Sequence, residues 1–312
     1  MSASFGDRLQ DAVDRTSTPC VVGIDPHLEL LPDAFAVARN ASAPIEERAR
    51  AIGDFACEVI ELASGRVPAV KLQSAFFEAL GSEGVRAWER AVRSAREAGL
   101  LVIGDVKRGD IQSTAAAYAA AFLAAPPGAD PRERCDAITV NALLGADSVE
   151  PFLDACRAHG AGIFVLVRTS NPGSEDFQLH GEPELSLRFA AAVARWGSDL
   201  VGDSGLSSVG AVVGLRRGAR GATLREFRAC MPSAPLLLPG FGAQGAGVDE
   251  ALAAFLPPRP GRGPRGALIT SSRAVTFAWR ESPHTTRHWK DAASAALDET
   301  LAALASGLSG RP

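Results

Sequence analysis

The sequence predicts an α/β protein with the fold of a (β/α)8 barrel, formed as a single domain over residues 1–312. Eight short apolar segments alternate with segments of helical periodicity, which is the pattern of parallel strands joined by helical crossovers. No shift in composition divides the chain. Seven of these segments end at or beside a polar or glycine residue: Asp25, Lys71, Asp105, Asn141, Ser170, Gly240 and Arg273. A barrel gathers such strand ends around one mouth, whereas the alternative, a doubly wound open sheet, would keep many of them apart.

The first half of the chain contains four predicted strands. A helix over 8–14 precedes strand 20–24, which stops at Asp25-Pro26 because proline cannot continue a β-ladder. Short helix 33–39 and helix 45–63, whose apolar residues recur every three or four positions, lead to strand 69–72. Four elements follow: helix 82–98, strand 101–106, an alanine-rich helix over 111–125 and strand 137–140.

The second half repeats the alternation. Helix 149–159 leads to strand 163–167, which runs into the turn-rich RTSNPGS loop. Seven further elements complete the eight units: helix 185–196, strand 209–213, helix 224–231, strand 236–238, helix 248–255, strand 267–270 and helix 289–305. Length beyond a minimal barrel falls in inserts near 26–44, 174–184 and 257–265.

Composition limits the possible functions. The 312 residues are 46% hydrophobic, enough for a large core, and the net charge of −4 favours neither a nucleic-acid nor a membrane-surface partner. Five scattered cysteines without CxxC spacing indicate reduced thiols. Residues 1–20 have no apolar signal-peptide core, and no apolar run reaches membrane length. We therefore expect a cytoplasmic protein.

The stretch GDVKRGD, 104–110, is the strongest candidate for chemistry. Asp105 and Lys107 share one face if the strand persists, because strand side chains alternate. A surface ion pair is the ordinary alternative. However, only Lys71, Lys107 and Lys290 are lysines among 32 basic residues, and lysine, unlike arginine, readily gives up a proton. Lysine at position 107 therefore points to a proton-transfer role.

Two neighbouring residues leave alternatives open. Asp110 stands directly before a predicted helix and could cap it or act in catalysis. Lys71 could form a Schiff base in an apolar pocket or an internal ion pair. No histidine pair has metal-ligand spacing except His284 and His288, in a polar segment, and we predict no metal site.

Two segments after the last strands predict a phosphate site. PGFGAQG, 239–245, follows strand seven, and SSR, 271–273, follows strand eight. Barrels commonly bind phosphate there, since glycines let backbone N–H groups approach an anion and arginine can hold it with two hydrogen bonds.

Seven motifs together resemble the orotidine 5′-phosphate decarboxylase family, most closely its longer bacterial type (type 2), from about residue 8 to about 305. They are GIDPH (23–27), VKLQSAFFE (70–78), GDVKRGDIQSTA (104–115), TVNALLGADSVEPF (139–152), RTSNPGS (168–174), PGFGAQG (239–245) and SSRA (271–274). The resemblance implies a (β/α)8 barrel that acts as a homodimer and converts orotidylate to UMP and CO2, the last step of de novo pyrimidine biosynthesis, without metal or cofactor.

The resemblance also assigns site residues. Lys71, Asp105, Lys107 and Asp110 would form a charged array, with Asp110 donated by the neighbouring subunit and Lys107 protonating C6 of the pyrimidine. The substrate-binding residues would be Asp25 with Lys71 at the ribose, Ser170 at the pyrimidine, Gly240, Gln244 and Arg273 around the 5′-phosphate, and Ile111 and Thr114 across the dimer interface.

Two segments depart from the family pattern: GLRRGARGA, 214–222, after strand six, and Thr270, where the family often has asparagine. Two rival functions stay open. One is a related Mg²⁺-dependent phosphosugar lyase or aldolase, similar to hexulose-phosphate synthase, and the other is a nucleotide-binding barrel without catalysis.

Overall fold

Eight parallel strands close a barrel in sequence order, β1 to β8, with β8 paired to β1. The structure is a computed structural model that describes residues 3–124, 128, 130–214, 220–239, 251–281 and 288–309. The strands are β1 (Cys20–Ile24), β2 (Ala69–Gln73), β3 (Leu101–Arg108), β4 (Ala137–Val140), β5 (Gly162–Arg168), β6 (Val209–Val213), β7 (Leu236–Pro239) and β8 (Ala267–Ser271). The predicted barrel is confirmed, and the open sheet is excluded.

One helix, α1 (Phe5–Thr16), precedes β1, and further helices follow the strands. They are α2 (Ile45–Ala63), α3 (Ser74–Glu78), α4 (Gly81–Glu97), α5 (Gln112–Leu123), α6 (Ala146–His159), α7 (Glu175–Gln178), α8 (Leu185–Trp196), α9 (Leu224–Cys230), α10 (Arg273–Thr276) and α11 (Trp289–Ser309). Short 3-10 turns cover Leu28–Leu30, Asp33–Arg39, Pro131–Glu133, Pro172–Ser174 and Ala278–Arg280.

The barrel interior is closed at the N-terminal ends of the strands. Phe5, Leu9 and Val13 of α1 are buried against residues that point inward from the strands. The Phe5 ring meets Phe164 of β5 edge to face, with centroids 5.9 Å apart. Because α1 fills this end with apolar side chains, the barrel interior opens at the opposite end, where the strands finish.

Several elements have the bounds that the sequence predicts, and the other described ones differ by one to four residues, with the largest differences at the ends of α1, α6 and α11. The bounds of β1, β4, β6, α2 and α8 are as predicted. In contrast, β3 runs two residues further, to Arg108, and α5 begins one residue later, at Gln112. The helix predicted over 248–255 lies partly outside the described residues.

The insert at 257–265 lies at the end of the barrel opposite the strand C-termini. Arg262 pairs with Asp14 of α1 at 2.6 Å, and Gly263 N donates to the same carboxylate at 2.7 Å. Arg259 and Arg265 both donate to the carbonyl of Ser204, in the loop before β6. The insert therefore fastens α1 to the base of the barrel.

Candidate active site

A cavity of about 480 Å³ opens at the C-terminal ends of the strands. Leu166, Val212 and Leu237, from three neighbouring strands, form its apolar part. Polar side chains from the other strands and from the loops after β5 and β8 also line it: Asp25, Lys71, Gln73, Asp105, Lys107, Thr139, Thr169, Ser170, Asn171, Thr270, Ser272 and Arg273. This is the position in which barrel enzymes carry their active sites.

Asp105 is the centre of the polar side of the cavity. Its Oδ2 accepts from Lys71 Nζ at 2.7 Å and from Gln73 Nε2 at 3.0 Å. Its Oδ1 accepts from Lys107 Nζ at 2.6 Å and from Thr139 Oγ1 at 3.0 Å. Each carboxylate oxygen therefore has one ammonium and one neutral donor, so the carboxylate cannot rotate without losing contacts.

The charges on this cluster reinforce each other. Burial works to raise the pKa of Asp105, but the adjacent Lys71 and Lys107 outweigh it and hold the pKa at about 2. Burial likewise works to lower the pKa of Lys71, but the Asp105 and Asp25 carboxylates outweigh it and raise that pKa. Both groups are therefore charged at neutral pH.

These contacts decide between the two sequence-based interpretations of Lys71. A Schiff-base lysine must present a neutral amine, whereas Lys71 is 7% exposed, lies 2.7 Å from Asp105 and has a raised pKa. The structure therefore forms the internal ion pair, which disfavours the neutral amine that a Schiff base requires.

Lys107 has an unusual backbone for its position. Its φ is 47°, in the left-handed region that residues other than glycine rarely enter. Asp105 and Lys107 nevertheless meet on one face, as alternation along the strand predicts. About half of the Lys107 side chain is exposed to the cavity, so its ammonium can reach a bound molecule.

Two buried polar atoms beside the cavity have no hydrogen-bond partner among the described residues. One is Asp25 Oδ1, which lies 3.8 Å from Lys71 Nζ, beyond hydrogen-bond range, and the other is Thr270 Oγ1 at the end of β8. A buried acceptor without a donor is costly. A ligand that brings hydroxyl groups to Asp25 would remove that cost.

The loop after β5 is held in place by its own side chains. Gln178 Oε1 accepts from Thr169 N at 2.9 Å, and Gln178 Nε2 donates to Thr169 Oγ1 at 2.8 Å. Buried Arg168 donates to Ser174 Oγ at 3.1 Å. These bonds fix both ends of the RTSNPGS turn, and Ser170 thereby lines the cavity as predicted.

The phosphate-site prediction can be followed at Arg273. It is the first residue of α10, its side chain is exposed at the rim of the cavity, and it forms no ion pair with any described residue. Its guanidinium is therefore available to an anion. Gly240 and Gln244 lie outside the described residues, as do His284 and residues 215–219 of the divergent loop after β6.

Asp110, Ile111 and Thr114 lie outside the cavity of their own chain. Among the described residues, Asp110 forms no ion pair with either lysine, and its Oδ1 accepts from the adjacent Ile111 N at 2.7 Å. Ile111 is 53% exposed and Thr114 is exposed. The helix-cap interpretation of Asp110 is wrong, because α5 begins at Gln112 and Ile111 occupies the N-cap position.

Sequence reasoning missed two residues that contact Asp105, Gln73 and Thr139. Gln73 stands two positions after Lys71 on the same strand, so alternation could have placed both on one face. For β4, the strand-end residue Asn141 was expected at the mouth. It is exposed and accepts from Leu143 N, while Thr139 faces the cavity.

Within the part of the chain that the structure describes, no helix is long and apolar enough to cross a membrane. The same residues contain no group of three or more His, Cys, Asp or Glu side chains placed to hold a metal ion.

The fold and the site define the class: a (β/α)8-barrel enzyme whose site, at the strand C-termini, holds a carboxylate fixed between two lysines. The chain belongs to the orotidine 5′-phosphate decarboxylase / HUMPS family, whose model matches residues 8–278. It is 40% identical to the orotidine 5′-phosphate decarboxylase of Rhodopirellula baltica over 94% of this chain and 96% of that one. It is 39% identical to the orotidine 5′-phosphate decarboxylase of Deinococcus radiodurans over 89% of this chain and 91% of that one.

The structural comparison agrees. The solved structure of Leishmania donovani OMP decarboxylase superimposes with a TM-score of 0.71 at 28% identity. The match covers 97% of this chain and 98% of that one.

Proposed function

We propose that this chain is a carboxy-lyase that converts orotidine 5′-phosphate to UMP and CO2 without metal or cofactor. The observation that carries the proposal is Asp105, fixed between Lys71 and Lys107 at the base of a cavity large enough for a nucleotide-sized ligand. Family membership and the similar decarboxylases support the same conclusion.

Lys107 is the proton donor. Loss of CO2 leaves an electron pair on C6 of the pyrimidine that has little resonance stabilisation, so the site must stabilise it electrostatically. An ammonium beside C6 does so, and then transfers a proton to that carbon as the C6–carboxylate bond breaks. Lys107 is suited to this step because its side chain is half-exposed to the cavity and held by Asp105.

Asp105 and its other partners prepare the site. With a pKa of about 2, Asp105 stays ionised and repels a substrate carboxylate placed beside it. Lys71 holds the far side of Asp105, and together with Asp25 it is placed to bind the ribose. The unpartnered Asp25 Oδ1 supports a ribose-hydroxyl contact there.

The 5′-phosphate binds at the rim formed by the last two strands. Arg273, exposed and without an ion-pair partner among the described residues, supports this placement, and Gly240 and Gln244 join it in the proposal. Ser170 contacts the pyrimidine. Binding energy from the remote phosphate can be used to organise the charged array around the reacting carbon.

The active enzyme is a homodimer in which Asp110, Ile111 and Thr114 serve the partner's site. Ile111 and Thr114 are exposed, Asp110 is half-buried, and none of the three lines the cavity of its own chain, which supports this arrangement. Leu143 and Leu144, 69% and 54% exposed, lie in the loop after β4, which contacts the end of β3 through Asn141 N and Arg108 O at 2.8 Å. We propose that Leu143, Leu144 and Ile111, in the loops after β4 and β3, form an apolar surface near the mouth that the partner subunit covers.

Three broader expectations accompany this function. Bacterial relatives that match nearly end to end support the longer bacterial type. One closed barrel from β1 to β8 supports a single domain. Five unpaired cysteines support a reducing, cytoplasmic location.

The rival functions differ from this one in a simple measurement. Purified protein should consume orotidylate, measured by its ultraviolet absorbance, at the same rate with and without EDTA. Orotidylate loss that EDTA abolishes would contradict the metal-free chemistry, whereas a Mg²⁺-dependent phosphosugar lyase would leave the absorbance unchanged and would not bind UMP. Unchanged absorbance combined with UMP binding would indicate a nucleotide-binding barrel without catalysis.

A further inference from the structure

Thr139 of β4 forms two hydrogen bonds through its hydroxyl, and both join the residues proposed for catalysis. Its Oγ1 lies 2.9 Å from Lys107 N and 3.0 Å from Asp105 Oδ1. A backbone N–H can only donate, so the hydroxyl accepts from Lys107 and its single proton goes to Asp105. Thr139 is 1% exposed, so bulk water does not supply these bonds if the hydroxyl is removed.

The pairing of β3 with β4 explains why a side chain occupies this place. Gly104 pairs with Ile138 and Arg108 with Val140, so four steps along β3 correspond to two along β4. Thr139 alone therefore faces the extra residues of β3. Within them Lys107 has its φ of 47°, and its N–H points to the Thr139 hydroxyl. The hydroxyl takes the place of a ladder acceptor at a bulge, a feature that redirects side chains near active sites.

We propose that Thr139 is a positioning residue for proton transfer, an inference that rests on the decarboxylase function proposed above. Its hydroxyl holds the bulge that directs the Lys107 side chain into the cavity, and it fixes the Asp105 oxygen that receives the Lys107 ammonium. One side chain thus sets both members of the pair. Without the hydroxyl, Lys107 N and Asp105 Oδ1 each lose a partner, and the ammonium no longer has a fixed position relative to the reacting carbon.

The test compares Thr139→Val, which keeps the shape but removes the hydroxyl, with Thr139→Ser, which keeps the hydroxyl. Thr139→Val should lower kcat on the order of 100-fold, the effect of misplacing a reacting group by about 1 Å, with little change in KM or UMP binding. Thr139→Ser should recover most of the rate. Because the Val variant removes a donor from Asp105, the acidic limb of its pH–kcat profile should also move to higher pH.

A second measurement needs no turnover, so it separates this proposal from the proposed function. The chain has three lysines, and reductive methylation followed by mass spectrometry resolves them individually. Thr139→Val should increase labelling of Lys107 relative to Lys290 on the outer helix α11, because the Lys107 ammonium is less tightly held. Thr139→Ser should leave this ratio unchanged.

The outcomes are distinguishable. A wild-type protein that leaves orotidylate intact contradicts the proposed function, while the labelling ratio still judges Thr139. Normal kcat, pH profile and labelling in Thr139→Val would overturn the positioning role, as would equal impairment of the Ser and Val variants. If the Val variant does not fold, Thr139→Ala replaces it.

Discussion

Lys107 Nζ lies 2.6 Å from Asp105 Oδ1, while Lys71 occupies the other oxygen of the same carboxylate. The two ammonium groups differ in exposure: the Lys71 side chain is 9% exposed and that of Lys107 is 47% exposed. Burial and ion pairing keep Lys71 in place as a fixed charge, whereas Lys107 can reach a ligand. The geometry therefore separates a structural lysine from one suited to donate a proton.

Removing the proton donor should abolish turnover but preserve binding. We expect Lys107→Ala to lose orotidylate decarboxylation while UMP binding, measured by calorimetry, stays detectable, because the phosphate and ribose contacts proposed above involve other residues. Lys107→Arg is the matched control: it keeps the positive charge but cannot readily release a proton, so it should also be inactive. Near-normal turnover in either variant would contradict the role assigned to Lys107.

Asp105 should give the protein an acid-dependent stability. Its pKa of about 2 lies below the ordinary 3.8, so its contribution is fully present above pH 4 and is lost as the pH falls through about 2. The predicted loss is roughly 2 kcal/mol. In urea unfolding at several pH values, the free energy of unfolding of the wild type should approach that of Asp105→Asn as the pH falls through this window.

A matched variant controls for general acid effects. Asp33 pairs with Arg39 on the surface, and the Asp33 side chain is 96% exposed. The free energy of unfolding of Asp33→Asn should therefore change with pH as that of the wild type does. If the free energies of unfolding of the wild type and Asp105→Asn differ by a constant amount across this acid pH range, the stabilising role of the ionised Asp105 is contradicted.

The Lys71 ion pair predicts the opposite trend in alkali. The pKa of Lys71 is raised, so the stabilisation it provides is complete below the ordinary value of 10.5 and is lost as the pH rises through the higher folded value. Lys71→Met should therefore be less stable than wild type at pH 8, with a difference that narrows in strong alkali. Lys290→Met, at an exposed ion pair with Glu58, should change little.

Shared active sites should reveal themselves by complementation. Lys107→Ala and Asp110→Ala proteins are each expected to be inactive. When mixed under conditions in which subunits exchange, they should recover roughly a quarter of wild-type activity, since half of the dimers are hybrid and each hybrid has one intact site. No recovery despite demonstrated exchange would mean that Asp110 acts within its own chain.

The apolar surface near the mouth should hold the dimer together. Leu144→Asp places a charge in it, and we expect sedimentation to show dissociation to monomers, with loss of activity because the partner's Asp110 is withdrawn. Val201→Asp is the control, since Val201 is 41% exposed in the loop before β6, at the opposite end of the barrel. A Leu144→Asp variant that remains dimeric would contradict this interface.

Local sequence pattern was sufficient for most of the fold. Fully buried strands such as β1, β4 and β6 appear as short apolar runs, and their alternation with amphipathic helices leaves few arrangements other than a barrel. The rarity of lysine identified Lys107, and its spacing from Asp105 placed both on one face. These features depend on residues close in sequence, where periodicity operates.

Contacts between strands required the tertiary structure. Thr139 is 34 residues from Asp105, and the hydrogen bond between them depends on the register of β3 against β4, including a bulge that no local pattern marks. β3 continues past Lys107 and α5 begins at Gln112, so Asp110 lies outside the helix cap and outside the lining of its own cavity. The sequence by itself determined the barrel and the charged residues at its mouth. Strand register, a cooperative property of the closed sheet, decided which neutral side chains hold those charges in place.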